Sequence, residues 1–247
     1  MSLVTPKMSE IVIKQWKYKL EAYIGALVSL MMVQIIGILL GFGFWAMLGT
    51  GTAFADIRVF YYSGDVINAL TMIWAFMTAL LITTKAYRYS DFPFVTNRLS
   101  SHISNAFYLF SMSIVGAACA LFASFFLKVF MYFFFKLDKT PGLEILFLEK
   151  IAFTEYIAEF IALVFYLLLF SALGYFFGML YQVSKAVLFA VIFFFFGGLF
   201  LLGIQAETLF QFYGKEHSLI LFILKVFITV LMIFSISALI SNKLEVR

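Results

Sequence analysis

Few side chains in this chain of 247 residues can do chemistry, and their types narrow what chemistry is open. Two histidines, His102 and His217, and one cysteine, Cys119, are its imidazole and thiol donors. One cysteine makes neither a disulfide framework nor a thiolate metal site, and no metal site is assigned. There is no G-x-x-x-x-G-K-[ST] run to cradle a nucleotide phosphate. H-E-x-x-H and G-x-S-x-G are also missing, so no hydrolase signature and no catalytic residue can be named. Glu155 and Glu159 stand four residues apart. They read either as a solvated helix start, favoured by the helix dipole, or as a vestibule for a cation or cationic substrate with Glu144 and Glu149. Gln34 is polar within a long apolar run and reads as an interhelical hydrogen bond or as a substrate contact. Gln34, Glu155 and Glu159 are therefore the candidate substrate path. The remaining polar concentration is the interval Lys85–Asn105, KAYRYSDFPFVTNRLSSHISN, which has Asp91-Phe92-Pro93-Phe94 at its centre. If a partner instructs this protein, that interval is where it would act.

The elements that position these residues follow from composition. The chain is 64% hydrophobic and 12% charged, against roughly 45–50% and 25% in soluble domains. With 34 phenylalanines, it is expected to be an all-α, polytopic membrane protein. The net charge of +4 is small, so its basic residues call for a topological explanation before a nucleic-acid one. Six spans are expected: Ile24–Leu48, Val66–Thr84, Ala106–Phe134, Tyr156–Leu180, Ala186–Gly203 and Leu219–Ile240. Each reaches about 17 residues or more, enough for a bilayer core. The uncharged run Ala22–Ala55 is 34 residues long, too long for a signal-peptide h-region, so a retained first span is expected. Almost no ionisable residue falls at hydrocarbon depth; Lys225 lies near one end of the last span and can snorkel.

Ahead of the first span, residues 9–23 are amphipathic. Ile11, Ile13, Trp16 and Leu20 can form an apolar side, with Lys14, Lys17 and Glu21 opposite. This segment is expected to lie in the membrane interface, with Lys14, Lys17 and Lys19 near lipid phosphates and Trp16 in the headgroup layer. The alternative is a plain extension of the first span. With the N-terminus inside, inner segments carry ten Lys/Arg and four acids, and outer ones seven and nine. The positive-inside rule then favours both termini inside. His102 becomes a polar residue of the inner loop, on the opposite face from His217. Residues 1–247 read as one membrane domain, with spans over 24–240 and the main inner loop at 85–105. Gly174 and Gly178 form a G-x-x-x-G suited to close helix packing, within the chain more readily than between copies. The runs Phe193–Phe196 and Phe133–Phe135 read as lipid-facing or core bulk, with a greasy substrate path as the alternative.

These features resemble the membrane subunit of an ABC-2-type exporter: an amphipathic lead-in helix ending at Tyr23, six spans with both ends inside, and a main inner loop between spans two and three. A short inner loop also follows the G-x-x-x-G of span four (GYFFGMLYQVSK). The resemblance covers nearly the whole chain by architecture. Its nearest approach to a motif is Phe92-Pro93-Phe94-Val95-Thr96-Asn97-Arg98, in which Phe94 and Asn97 are additional to the family's pattern. It implies that Arg88, Asp91, Phe92, Pro93, Phe94, Val95, Thr96, Asn97 and Arg98 form a coupling element seated on a separate P-loop ATPase subunit. Phe92 and Phe94 would be its anchors, Arg88 and Arg98 its steering charges, Pro93 its stiffener and Thr96 a helix N-cap. A loop with Phe92 and Phe94 dipped into lipid is the competing reading. The resemblance further implies no cofactor in this chain, ATP and Mg on the partner, and a second copy or a related permease beside it. The chain would not be an enzyme but a permease in a bacterial plasma membrane, exporting an amphipathic or hydrophobic cargo such as a peptide, lipid or drug-like molecule. Small exporters of phenol-soluble-modulin and lantibiotic-immunity type have this build. The substrate-capture subunit of an energy-coupling-factor importer is the alternative, weakly favoured by Gln205, Gln211 and Tyr213.

Overall fold

The computed structural model describes residues 7–42, 46–52, 55–61, 64–84, 87, 98–135, 152–201, 211–214, 216 and 218–243. The chain opens with helix α1 (Met8–Ala22), which has Glu10 in its first turn and Lys19 in its last. Both signs complement the helix dipole. Tyr23 then leaves the helical region, at φ −101° and ψ 34°. Its N–H still donates to Lys19 O at 3.0 Å, while its own carbonyl accepts from Ala26 N at 2.9 Å. One residue thus turns the corner into α2 (Ile24–Gly41).

Helix α2 ends seven residues before the expected Leu48. Glycine is a poor helix former, and glycines stand at 41, 43, 49 and 51. The chain passes instead into an antiparallel hairpin, β1 (Ala46–Thr52) and β2 (Ala55–Tyr61), with Ala46 opposite Tyr61 and Thr52 opposite Ala55. The second strand, ADIRVFY, is rich in the β-branched and aromatic residues that suit a pleated backbone. This hairpin is an addition to an otherwise helical plan. Next comes α3 (Asp65–Ile82). Its end is tightened by the Thr83 and Thr84 hydroxyls, which donate to Leu80 O at 2.6 Å and Leu81 O at 2.7 Å.

Helix α4 (Arg98–Phe135) has 38 residues, about 57 Å at 1.5 Å per residue. It begins eight residues before the expected span at Ala106, so Arg98–Asn105 of the inner interval are helical, close to where a helix was expected to resume after Thr96. Helix α5 (Ala152–Val183) and helix α6 (Lys185–Leu201) are separated by Ser184 alone. Ser184 caps α6 by accepting from Ala186 N at 3.2 Å. Helix α7 (Leu219–Lys243) closes the described chain. Among the described residues, five helices are long and apolar enough to cross a membrane: α2, α3, α4, α5 and α7. Five of the six expected spans therefore hold a helix long enough to cross, the first of them shorter than expected. The remaining one, the fifth, expected at Ala186–Gly203, holds α6, which is shorter at 17 residues.

Helix α5 is the hub. Half of its spanning window is buried (50%), against 22% for α2 and 17% for α7. It packs mainly on α3, α7 and α4. Leu167 and Tyr175 join Leu30, Ile67, Trp74, Leu109 and Leu127 in one apolar core. Its Leu168, Leu169 and Ala172 meet Phe222, Val226 and Val230 of α7 in a second. The G-x-x-x-G lies on the α3 side. A Cβ at Gly174 would stand 2.2 Å from Phe76 O, and one at Gly178 2.1 Å from Thr83 Oγ1. The motif is therefore spent on packing within the chain. Large apolar side chains cover the outer faces, among them Val28, Met32 and Ile36 on α2, Phe122 and Phe126 on α4, and Leu224, Leu231 and Leu239 on α7. That arrangement suits lipid as the surrounding solvent.

Candidate functional site: a buried polar junction of three helices

Along α1, Val12, Gln15, Trp16, Lys19 and Tyr23 recur every three or four residues and so share one stripe. Val12, Gln15 and Lys19 are buried, whereas Ile13, Lys14, Lys17 and Glu21 are exposed. The burying stripe is therefore rotated from the apolar side expected from Ile11, Ile13, Trp16 and Leu20. Lys14 and Lys17 do face outward. Lys19, expected beside them at the lipid phosphates, is instead 1% exposed. The reason is angular: two residues along a helix turn it by about 200°, which sets Lys19 across the helix from Lys17. Trp16 is half-buried, and its indole N–H donates to Ser111 Oγ of α4 at 3.1 Å.

The Lys19 ammonium donates to Ser104 Oγ at 2.8 Å and to Asn105 Oδ1 at 2.6 Å, both in the second turn of α4. A buried cation is costly unless its protons are taken up, and charge-assisted bonds of this length are strong ones. Ser104 sends its own proton to Ser101 O at 2.9 Å, leaving its lone pairs to the lysine. Asn105 turns its other end to α5, where Nδ2 donates to Tyr175 OH at 3.3 Å. The Tyr175 oxygen in turn lies 2.6 Å from His102 Nδ1, with the two rings edge to face. Which of the two donates follows from the His102 tautomer: an imidazole with its proton on Nε2 takes the Tyr175 proton at Nδ1, and one protonated at Nδ1 donates to the tyrosine oxygen.

His102 was expected in the inner loop. It is instead 8% exposed within the first turns of α4, because the helix starts earlier than the hydropathy does. Tyr23 closes the junction from the α1 side. Its ring packs edge-on against Tyr87 at 4.7 Å and Tyr108 at 5.6 Å, and its hydroxyl donates to Tyr87 O at 3.5 Å. Tyr87 precedes residues 88–97, and Ser104 and Asn105 follow them. The interval is thus tied to α1 at both flanks.

Of the expected coupling residues, Arg88, Asp91, Phe92, Pro93, Phe94, Val95, Thr96 and Asn97 lie outside the described residues, and Arg98 is the first residue of α4. Glu144, Glu149, Gln205 and His217 are outside them as well. Glu155 and Glu159 are exposed on the first turns of α5. Gln34 is buried, and its Nε2 donates to Thr71 Oγ1 of α3 at 3.0 Å, an interhelical bond of the expected kind. Thr71 passes its own proton to Ile67 O at 2.7 Å. Near the start of α7, Lys225 is ion-paired with Glu216 and sits 4.3 Å over the Phe212 ring. Among the described residues, no three His, Cys, Asp or Glu side chains gather as a metal site.

Sequence reading missed the inward role of Lys19 and its partners Asn105, Tyr175 and His102. The signal was present in the four-residue spacing Gln15-Lys19-Tyr23 and in the polar first turns SSHISN. It was obscured by reading lysines on an amphipathic helix as surface charges. The long apolar helices are those of a multi-pass membrane protein. No family model matches the chain, and no curated protein and no solved structure does either.

Proposed function

We propose that this chain is the membrane subunit of an ATP-driven transporter, powered by a separate P-loop ATPase that acts on the interval Lys85–Asn105. The observation that carries this reading is the tying of both flanks of that interval, at Tyr87 and at Ser104–Asn105, to α1, and through Tyr175 to the hub helix α5. A push on the interval would be felt by three helices together. The scarcity of ionisable groups in the described spans also leaves no evident ion path to drive transport from within. In this reading the resemblance to ABC-2-type exporters supplies the remainder. The chain has six spans with α6 as the fifth, both termini inside, and Phe92 and Phe94 as anchors on the ATPase. A second copy or a related permease stands beside it in a bacterial plasma membrane. ATP and Mg belong to the partner. An apolar, weakly charged interior suits an amphipathic or hydrophobic cargo, and export follows from the resemblance.

Photo-crosslinking from positions 92 and 94 in membranes, followed by purification of the full chain in mild detergent, tests the assignment. A stoichiometric ATPase should be captured, and Phe92→Asp with Phe94→Asp should abolish both capture and transport-linked ATP hydrolysis. Undiminished coupling in that variant would sink it. Recovery of a second multi-pass scaffold in place of a directly bound ATPase would favour substrate capture for an importer.

A further inference from the structure

Asn105 uses opposite ends of one planar amide. Its Oδ1 accepts from Lys19 of α1 at 2.6 Å, and its Nδ2 donates to Tyr175 of α5 at 3.3 Å. All three side chains are buried, Lys19 and Tyr175 almost completely. Around Asn105 the supports are directional. Ser104 takes a second lysine proton, and His102 Nδ1 lies 2.6 Å from the tyrosine hydroxyl on its far side. The residues on α4 that make these contacts fall within its first two turns, at the C-terminal end of the interval that the functional reading assigns to the ATPase.

We propose that Lys19, Asn105 and Tyr175 form a serial joint, in which the start of α4 grips α1 with one end of the Asn105 amide and α5 with the other. A displacement of that start then carries both helices with it. The joint deepens the functional reading above and rests on it for its source of motion, but its geometry is testable alone. The polarity matters, because an amide cannot exchange its two ends without presenting Nδ2 to an ammonium. Asn105 is thus the one side chain shared by both grips, with Ser104 backing it on the α1 side and His102 on the α5 side, whereas each outer partner can be cut singly.

The test uses the full chain in lipid nanodiscs with Cys119→Ala. Spin labels are placed in pairs at exposed positions 14 on α1, 107 on α4 and 181 on α5. The parent should give one narrow distance for 14/107 and one for 107/181. Lys19→Met should lose the narrow 14/107 distance and keep the other. Tyr175→Phe, which retains the ring against Phe234 at 5.3 Å, should do the reverse. Asn105→Leu should broaden both, by less than the outer substitutions because Ser104 and His102 still hold Lys19 and Tyr175. Narrow distances throughout in a folded Asn105→Leu protein would overturn the joint, as would either outer substitution broadening both pairs alike. If the selective pattern appears while no ATPase co-purifies, the joint stands and the energy-source reading falls. If an ATPase does co-purify and Asn105→Leu couples to it fully, the reading stands and the joint is not its route.

Discussion

At Tyr175 one hydroxyl carries two contacts, accepting from Asn105 and lying 2.6 Å from His102 Nδ1. Removing that oxygen leaves a buried amide proton and a buried imidazole nitrogen without it. Hydrogen bonds inside membrane proteins are worth about 0.6 kcal/mol on average, up to roughly 1.7. An orphaned buried polar group adds about 1–3 kcal/mol. Tyr175→Phe is therefore expected to destabilise the chain by about 2–4 kcal/mol, read as a lower unfolding midpoint in detergent. The bond between Gln34 and Thr71 offers a contrast. Gln34→Leu leaves the Thr71 hydroxyl still bonded to Ile67 O, and Gln34 Oε1 has no partner to lose. A cost of no more than about 1 kcal/mol is expected, with Gln34→Leu plus Thr71→Val close to Gln34→Leu alone. A large penalty for Gln34→Leu would mean that more than this bond depends on the glutamine. That Gln34 would bond across helices was legible in the sequence, because a lone amide in an apolar run has few other options. That Lys19 would turn inward was not, because the decision rests on which α4 residues lie opposite. Ser104 and Asn105 became helical only because α4 extends below its apolar stretch.

Among the elements, the α3–α5 seam sets the tightest constraint. At Gly174 the obstacle to a Cβ is the backbone oxygen of Phe76, which cannot swing aside as a side chain can. Gly174→Ala should therefore force the two helices apart, at a cost of about 1–3 kcal/mol or more. Gly25→Ala, where nothing lies within 4 Å, should be neutral or stabilising by roughly 0.5–1 kcal/mol through helix propensity. Thermal unfolding of the two variants side by side checks the contrast; equal effects would mean that the seam opens freely. The G-x-x-x-G pattern announced close packing, and the structure supplies the partner. Helix boundaries were less legible. Hydropathy places α2 through to Leu48, yet a glycine-studded run with threonines favours a hairpin once the helix has lost its continuity at Gly41. The same hydropathy starts α4 at Ala106, although its polar first turns are stabilised by contacts with α1 and α5 that no local pattern contains.

For the whole molecule the open quantity is how many times the chain crosses the bilayer, and α6 decides it. At 17 residues it is about 26 Å long, slightly under the roughly 30 Å hydrocarbon core. A helix this short can still cross with local thinning, at a cost of fractions of a kcal/mol per ångström. The alternative, lying flat in the interface, needs a polar face. Helix α6 has none: from Ala186 to Leu201 every residue is apolar or glycine, and Val187, Phe189, Phe193 and Phe194 are all exposed. Exposure on that scale is tolerable in lipid and unfavourable at a headgroup layer. Its one charge, Lys185, stands at the end next to the Ser184 cap, where it can reach water while the rest is immersed. We therefore expect α6 to cross, which puts both termini on one side. Single cysteines at Lys14 and at Glu245, in a Cys119→Ala background, should both resist a membrane-impermeant maleimide applied to intact cells. Both should react once the membrane is permeabilised. Labelling of one site and not the other in intact cells would reduce the crossings to an odd number and lay α6 on the surface. Tyr87 and the junction of Lys19, Asn105 and Tyr175 would still share the side of α1.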